Sequence, residues 1–314
     1  MTESAFRPAY GRLLDRGMLP ERVRRAYGLL AACVLCPRRC HANRLADERG
    51  ACGVGALPLI ASCGPHFGEE APLVGSGGSG AIFFSGCNLG CLFCQNHEIS
   101  QGGDGEEVTP QDLASIMLDL QAQDCHNINL VSPTHVAPQV LAAVAIAAQA
   151  GLRLPIVYNS GGYDAPGTMG LLDGVIDIYM PDAKYARSEV GRRLSGVELY
   201  APVNRSMIRE AHRQVGDLSL DRRGVALRGL LVRHLVLPAG LAGTREVVQF
   251  IAGEVSVHTY INIMAQYRPC FRAAEEPLLL RRVTGREYQD AIEAARGAGL
   301  YRLDGLWRPG EVGE

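Results

Sequence analysis

The chain has 314 residues, 47% of them hydrophobic and 20% charged, with a formal net charge of −2. This supports a sizeable core, one large domain plus an appendage, and gives no ground for a nucleic-acid or membrane-surface partner. The longest apolar stretch, residues 136–150, is broken by Pro138 and Gln139 and is too short to span a bilayer. No apolar targeting segment follows the polar start, so a cytoplasmic protein is expected, and the ten cysteines read as metal ligands rather than a disulfide framework.

Residues 7–30 carry helical apolar spacing through Leu13, Leu14, Val23, Tyr27 and Leu30, and Pro20 divides them into two short helices. Next come Cys33, Cys36 and Cys40, spaced CxxCxxxC, with Cys52 after eleven intervening residues. Four thiolates complete either a structural zinc site or an iron–sulfur site, and the spacing alone leaves both open. Residues 56–62 suit an edge strand, because Pro58 cannot donate to a ladder. His66, Glu69 and Glu70 follow, in a segment that either lines a site or is a solvated turn. The glycines of residues 75–80 lack the Lys-Ser/Thr of a phosphate loop and read as a hinge.

After the apolar strand of residues 81–84 come Cys87, Cys91 and Cys94, spaced CxxxCxxC, with Phe93 before the last thiol. Soft thiolates hold iron–sulfur clusters. Three ligands on a four-iron cubane leave one iron open to a substrate or cofactor. Gly86 and Gly90 let the backbone bend tightly around such a group. The plainer alternative is a three-thiol structural site completed by a distant ligand.

Beyond this loop, short apolar strands alternate with helices. Thr109-Pro110-Gln111-Asp112 and Thr284-Gly285-Arg286-Glu287 are capping-box starts. Strands are expected at 127–132, 154–159, 174–180, 229–238 and 255–262, with a small hairpin around Arg223-Gly224. Together with 81–84 these make six. The expected fold is α/β: a partial (β/α)6 TIM-like barrel over residues 76–314, after a helical, cysteine-rich metal-binding extension over residues 1–75. In parallel α/β folds ligands gather at the carboxyl ends of strands. The residues that end these strands are therefore the candidates.

The CxxxCxxC loop with its aromatic resembles the signature of radical S-adenosylmethionine enzymes. Its wider context, residues 82–96, resembles the activating enzymes of glycyl-radical enzymes, and in particular PflX-type homologues of the pyruvate formate-lyase activating enzyme; the Cys33–Cys52 block shares that likeness. The resemblance implies a [4Fe–4S] cluster on Cys87, Cys91 and Cys94, with S-adenosylmethionine on the open iron and Phe93 near its adenine. It implies cofactor contacts from Asn159, from the Asp182-x-Lys184 pair, whose lysine meets the methionyl carboxylate, and from His234 near the ribose. Arg233 is expected to face the other way, in a structural ion pair. Where activating enzymes carry Gly-Gly-Glu-Pro to receive the ammonium, this chain has Ser132-Pro133-Thr134-His135. Ser132 and Thr134 supply acceptors there instead.

The expected activity is reductive cleavage of S-adenosylmethionine to a 5′-deoxyadenosyl radical. A low-potential donor, flavodoxin or ferredoxin, supplies the electron, and a partner protein is the expected substrate. Alternatives are modification of a small molecule or peptide, with the amino-terminal thiols as an auxiliary redox cluster, and a non-catalytic iron–sulfur or zinc scaffold. Gln266, Tyr267 and Arg268 are expected to line the substrate side. Cys63, Cys125 and Cys270 are expected to be inert thiols.

Overall fold

In the computed structural model, which describes residues 6–306, nine strands form one sheet. The polar start and the outer ends of the two expected regions, residues 1–5 and 307–314, lie outside the described residues. The strands are β1 (Leu59–His66), β2 (Ser79–Phe84), β3 (Glu106–Glu107), β4 (Ile128–Val131), β5 (Ile156–Ser160), β6 (Ile178–Pro181), β7 (Ser219–Leu220), β8 (Ala226–Leu235) and β9 (Tyr260–Met264). Six of them, β2-β4-β5-β6-β8-β9, run parallel in that order. Helices join them, giving the open, partial TIM-like barrel expected. The parallel strands are buried on both faces, which is why β4, β5 and β6 are almost continuously apolar.

β1 pairs antiparallel with β2 and is itself covered by the two-residue β3, so it is not the outermost strand. β6 and β9 start later than expected. Residues 174–177 turn through Gly174 at φ +74°, and residues 255–259 are a turn leading into Tyr260. The expected hinge at 75–80 is clamped instead: the backbone N–H groups of Ser76 and Gly77 both donate to His126 Nε2 at 3.0 Å. A side chain at Gly77 would collide with the Asp124 carbonyl, so this glycine serves close backbone approach.

The apolar stretch beginning near residue 136 is the helix Ala137–Gln149, buried over nearly its whole circumference. The barrel covers one side and the helices Ala9–Asp15 and Leu19–Gly28 the other. They are pinned by Ala9 N–H to Asp177 Oδ1 (2.7 Å) and by Tyr10 Oη to the Leu154 carbonyl (3.0 Å). The break between them falls at residues 16–18, and Pro20 sits in the first turn of the second helix, where its missing N–H costs nothing. Both capping boxes form, Thr109 with Asp112 and Thr284 with Glu287. No helix among the described residues is long and apolar enough to cross a membrane.

Candidate active site

The loop after β2 leaves the sheet through Gly86 at φ +79°, a left-handed conformation suited to glycine. It is then tied to the end of the helix Ser188–Ser195 by Gly90 N–H to the Ser195 carbonyl and Leu92 N–H to the Leu194 carbonyl, both 2.9 Å. Each thiol is held. Leu89 N–H reaches Cys87 Sγ at 3.4 Å, Ser195 Oγ lies 2.9 Å from Cys91 Sγ, and Ser100 Oγ lies 3.1 Å from Cys94 Sγ. Phe93 packs edge-on against Tyr267, their centroids 5.7 Å apart. Cys270 donates to the Phe93 carbonyl at 3.3 Å.

All three thiols line one cavity of about 280 Å³ at the carboxyl ends of the strands. Across it stand Ser132, Asn159, Asp182 and Lys184, with Phe93 on the loop side. Ser132 adopts φ +60° and donates its N–H to the Asn159 carbonyl at 2.8 Å, which joins the exits of β4 and β5. Asp182 accepts from Lys184 Nζ at 2.5 Å and from Arg233 Nε at 2.9 Å. Tyr200 fixes the strand ends beneath them: its hydroxyl reaches the carbonyls of Gly161 and Asp182 and accepts from Lys184 N–H. A larger surface groove beside Arg245, Gln249 and Arg286 holds no thiol.

The electrostatics suit an anionic, metal-bound loop facing a cationic wall. Burial pushes the Cys87 thiol up to about 12, and it raises Cys91 too, against the lowering influence of Lys184. Free thiolates would be costly there, so a cationic metal group is what would stabilise them. Burial would lower the Lys184 ammonium, but Asp182 and Cys91 outweigh it and hold it protonated. Burial would raise Asp182, but Arg233 and Lys184 overcome this and hold it ionised, below the usual carboxylate range.

Two expected cofactor contacts are not brought to this cavity. Thr134 is buried and donates its hydroxyl to Asp164 at 2.7 Å, and Tyr158 and Ser160 donate to the same carboxylate. His234 is fully buried between the Ala183 carbonyl (2.6 Å) and Thr244 Oγ1 (2.8 Å). Strand alternation turns its neighbour Arg233 toward the cavity rather than away from it, while the ion pair expected of Arg233 forms, with Asp182. Arg233 is the residue that sequence reasoning missed. The signal was the inward-facing Asp182 at the same level of the next strand, which needs a cation. Gln266 lines the cavity rim, whereas the Tyr267 hydroxyl donates to the Leu279 carbonyl.

The amino-terminal thiols also converge. Cys33 N–H donates to the Ala42 carbonyl at 3.0 Å and the Cys33 carbonyl accepts from His41 N–H at 3.1 Å, which folds the Cys40 end of the run back onto Cys33. Gly50 has no Cβ because one would lie 2.4 Å from Cys40 Sγ. Among the described residues no three His, Cys, Asp or Glu side chains stand at the spacing of a single metal ion. What recommends both thiol sets is donor chemistry and placement.

A model of the radical SAM superfamily matches residues 81–203. An uncharacterised protein of Methanocaldococcus jannaschii is 32% identical over 297 residues, covering 91% of this chain and 80% of the relative. The chain belongs to the radical SAM superfamily. Among solved structures it is similar to a radical SAM methyltransferase from Sphaerobacter thermophilus, at 15% identity and a TM-score of 0.46, covering 70% of this chain and 64% of that one. It is also similar to the FeFe-hydrogenase maturase HydG from Carboxydothermus hydrogenoformans, at 11% identity and a TM-score of 0.48, covering 69% and 50%. The chain thus spans less than two thirds of either structure's length.

Membership implies a [4Fe–4S] cluster and S-adenosylmethionine. The residues present fit both. Three soft thiols on a glycine-bent loop face a largely buried ammonium and guanidinium inside one cavity.

Proposed function

We propose that this protein is an activating-enzyme-like oxidoreductase that uses S-adenosylmethionine to install a radical on, or otherwise modify, a partner protein. The observation that carries the proposal is the meeting of Cys87, Cys91 and Cys94 with Asp182, Lys184 and Arg233 in one cavity at the barrel mouth. When bound, the cluster supplies one electron that breaks a carbon–sulfur bond of the sulfonium, giving methionine and the 5′-deoxyadenosyl radical. Cys87, Cys91 and Cys94 would hold it. Lys184 presents a cation to the methionyl carboxylate, and Asp182 fixes that cation while neutralising it against Arg233. Ser132 and Asn159 offer polar contacts on the same strand-end wall, and Phe93 an apolar face on the loop side. The barrel walls keep water from the reacting atoms and hold the acceptor in place. A low-potential donor of the flavodoxin or ferredoxin type completes the cycle.

The acceptor is tested by anaerobic incubation of the reduced enzyme and S-adenosylmethionine with candidate partner proteins. The reading expects a glycyl-radical doublet in the partner by electron paramagnetic resonance. Steady release of 5′-deoxyadenosine with a small molecule or peptide, and no radical in any partner, contradicts it.

A further inference from the structure

The amino-terminal thiols are built against the reactive loop. Cys52 presents its carbonyl to Gly86, where a Cβ would lie only 2.5 Å from the oxygen. The Cys52 and Cys87 Cα atoms are therefore separated by roughly 10 Å at most. Arg38, inside the CxxCxxxC run, donates Nε to the Asn88 carbonyl at 2.6 Å. A cavity of about 440 Å³ is walled by Arg38, Cys52 and Val54 on one side and by Gly86, Cys87 and Gly90 on the other. Cys87, Leu89 and Ser100 line this cavity and the cofactor cavity alike, so the two spaces share a wall.

Arg44 supplies an independent observation. Its side chain is fully buried, and it donates Nε to the Gly55 carbonyl (2.9 Å) and Nη1 to the His135 carbonyl (2.5 Å). Its Nη2 has no partner, and among the described residues no carboxylate accepts from it. A buried guanidinium needs a counter-anion. Four thiolates around a metal centre provide that negative charge. The same arginine reaches the reactive loop through His135, whose Nε2 lies 2.8 Å from the Ser85 carbonyl. Cys40, at the other side of the set, is exposed. The set thus runs from solvent to the back of the reactive loop. A purely structural zinc has no use for that placement, whereas an electron carrier does.

We infer that Cys33, Cys36, Cys40 and Cys52 hold a second [4Fe–4S] cluster that relays electrons from an external protein donor to the reactive cluster, with Arg44 as its buried counter-cation. The step forms and breaks no bond. A low-potential one-electron donor is oxidised by one electron at the Cys40 side, and that electron passes from the Cys52 side to the group on Cys87, Cys91 and Cys94. This relay deepens the proposed function and rests on it.

The first test uses a variant that leaves the amino-terminal set untouched. Cys87→Ala/Cys91→Ala/Cys94→Ala protein, isolated anaerobically, is expected to retain about four irons and four sulfides per chain. Dithionite should give it a paramagnetic signal of its own. Stoichiometric zinc without iron, or no metal, overturns the inference whatever the fate of S-adenosylmethionine cleavage. In the fully reduced parent the signal should be broadened by coupling between two neighbouring spins. A spectrum equal to the sum of two isolated clusters contradicts the placement. Finally, Cys36→Ser/Cys52→Ser protein should cleave S-adenosylmethionine at the parental rate with dithionite but lose at least about tenfold with a flavodoxin donor. Equal rates with both reductants, or equal losses, contradict the relay. Failure of the parent to cleave S-adenosylmethionine with dithionite would count against the proposed function alone.

Discussion

Arg233 donates Nε to Oδ1 of Asp182 at 2.9 Å, binding the end of β8 to the exit of β6 at the floor of the cofactor cavity. The other carboxylate oxygen accepts from Lys184, so two largely buried cations share one anion. Breaking such a group by removing one partner is costly, because the remaining charges stay buried.

Asp182→Asn should therefore destabilise the fold by about 3–5 kcal/mol. Because the folded pKa of Asp182 is depressed, its contribution is complete above the unfolded value of about 4 and is lost as pH falls through the lower folded value. Urea titrations should show the parent losing more stability than the variant below about pH 4. Equal stability of the two proteins at neutral pH would remove the ion group from the account.

Lys184→Met keeps the stem and removes the charge. Iron content should be unchanged, and S-adenosylmethionine affinity should fall about ten- to a hundredfold, the value of a hydrogen bond to a charged group. Anaerobic equilibrium binding measures this. Unaltered affinity would mean that the carboxylate is received elsewhere.

Thr134→Val removes one of three hydroxyl donors to the buried Asp164. The expected result is a loss of about 1–2 kcal/mol in stability, with S-adenosylmethionine affinity nearly unchanged. Collapse of binding at parental stability would return Thr134 to the cofactor.

His135 is buried, and burial, aided by the nearby Arg44 cation, pushes it down to about 4. A depressed folded pKa gives stability that is present above the unfolded value of about 6.5 and is lost as pH falls toward the folded value. From about pH 7.5 to about pH 5 the loss should be about 2 kcal/mol, and His135→Gln should flatten that part of the profile. Chemical denaturation at several pH values checks this, and a parent profile as flat as the variant's would contradict it.

The thiol sets and the six-strand alternation were legible because their signals are local: ligand spacing in one case, hydrophobic period in the other. Asp182 and Lys184 could be placed because they follow a strand directly. Thr134 and His234 were misplaced for a different reason. Their side chains are claimed by Asp164, Ala183 and Thr244, partners from other segments that no local pattern reveals. The roles of Arg233 and His234 depended on which face of β8 turns inward, and apolar residues on both faces hide that phase. Packing of the amino-terminal thiols on Gly86 was equally invisible, since it joins segments more than thirty residues apart.

The central claim is that Cys87, Cys91 and Cys94 hold the group that opens S-adenosylmethionine. The most direct measurement is 5′-deoxyadenosine formed per chain by anaerobically reconstituted, dithionite-reduced protein, parent against the triple alanine variant. The account expects multiple product equivalents from the parent and none above background from the variant. Equal product from both would contradict it.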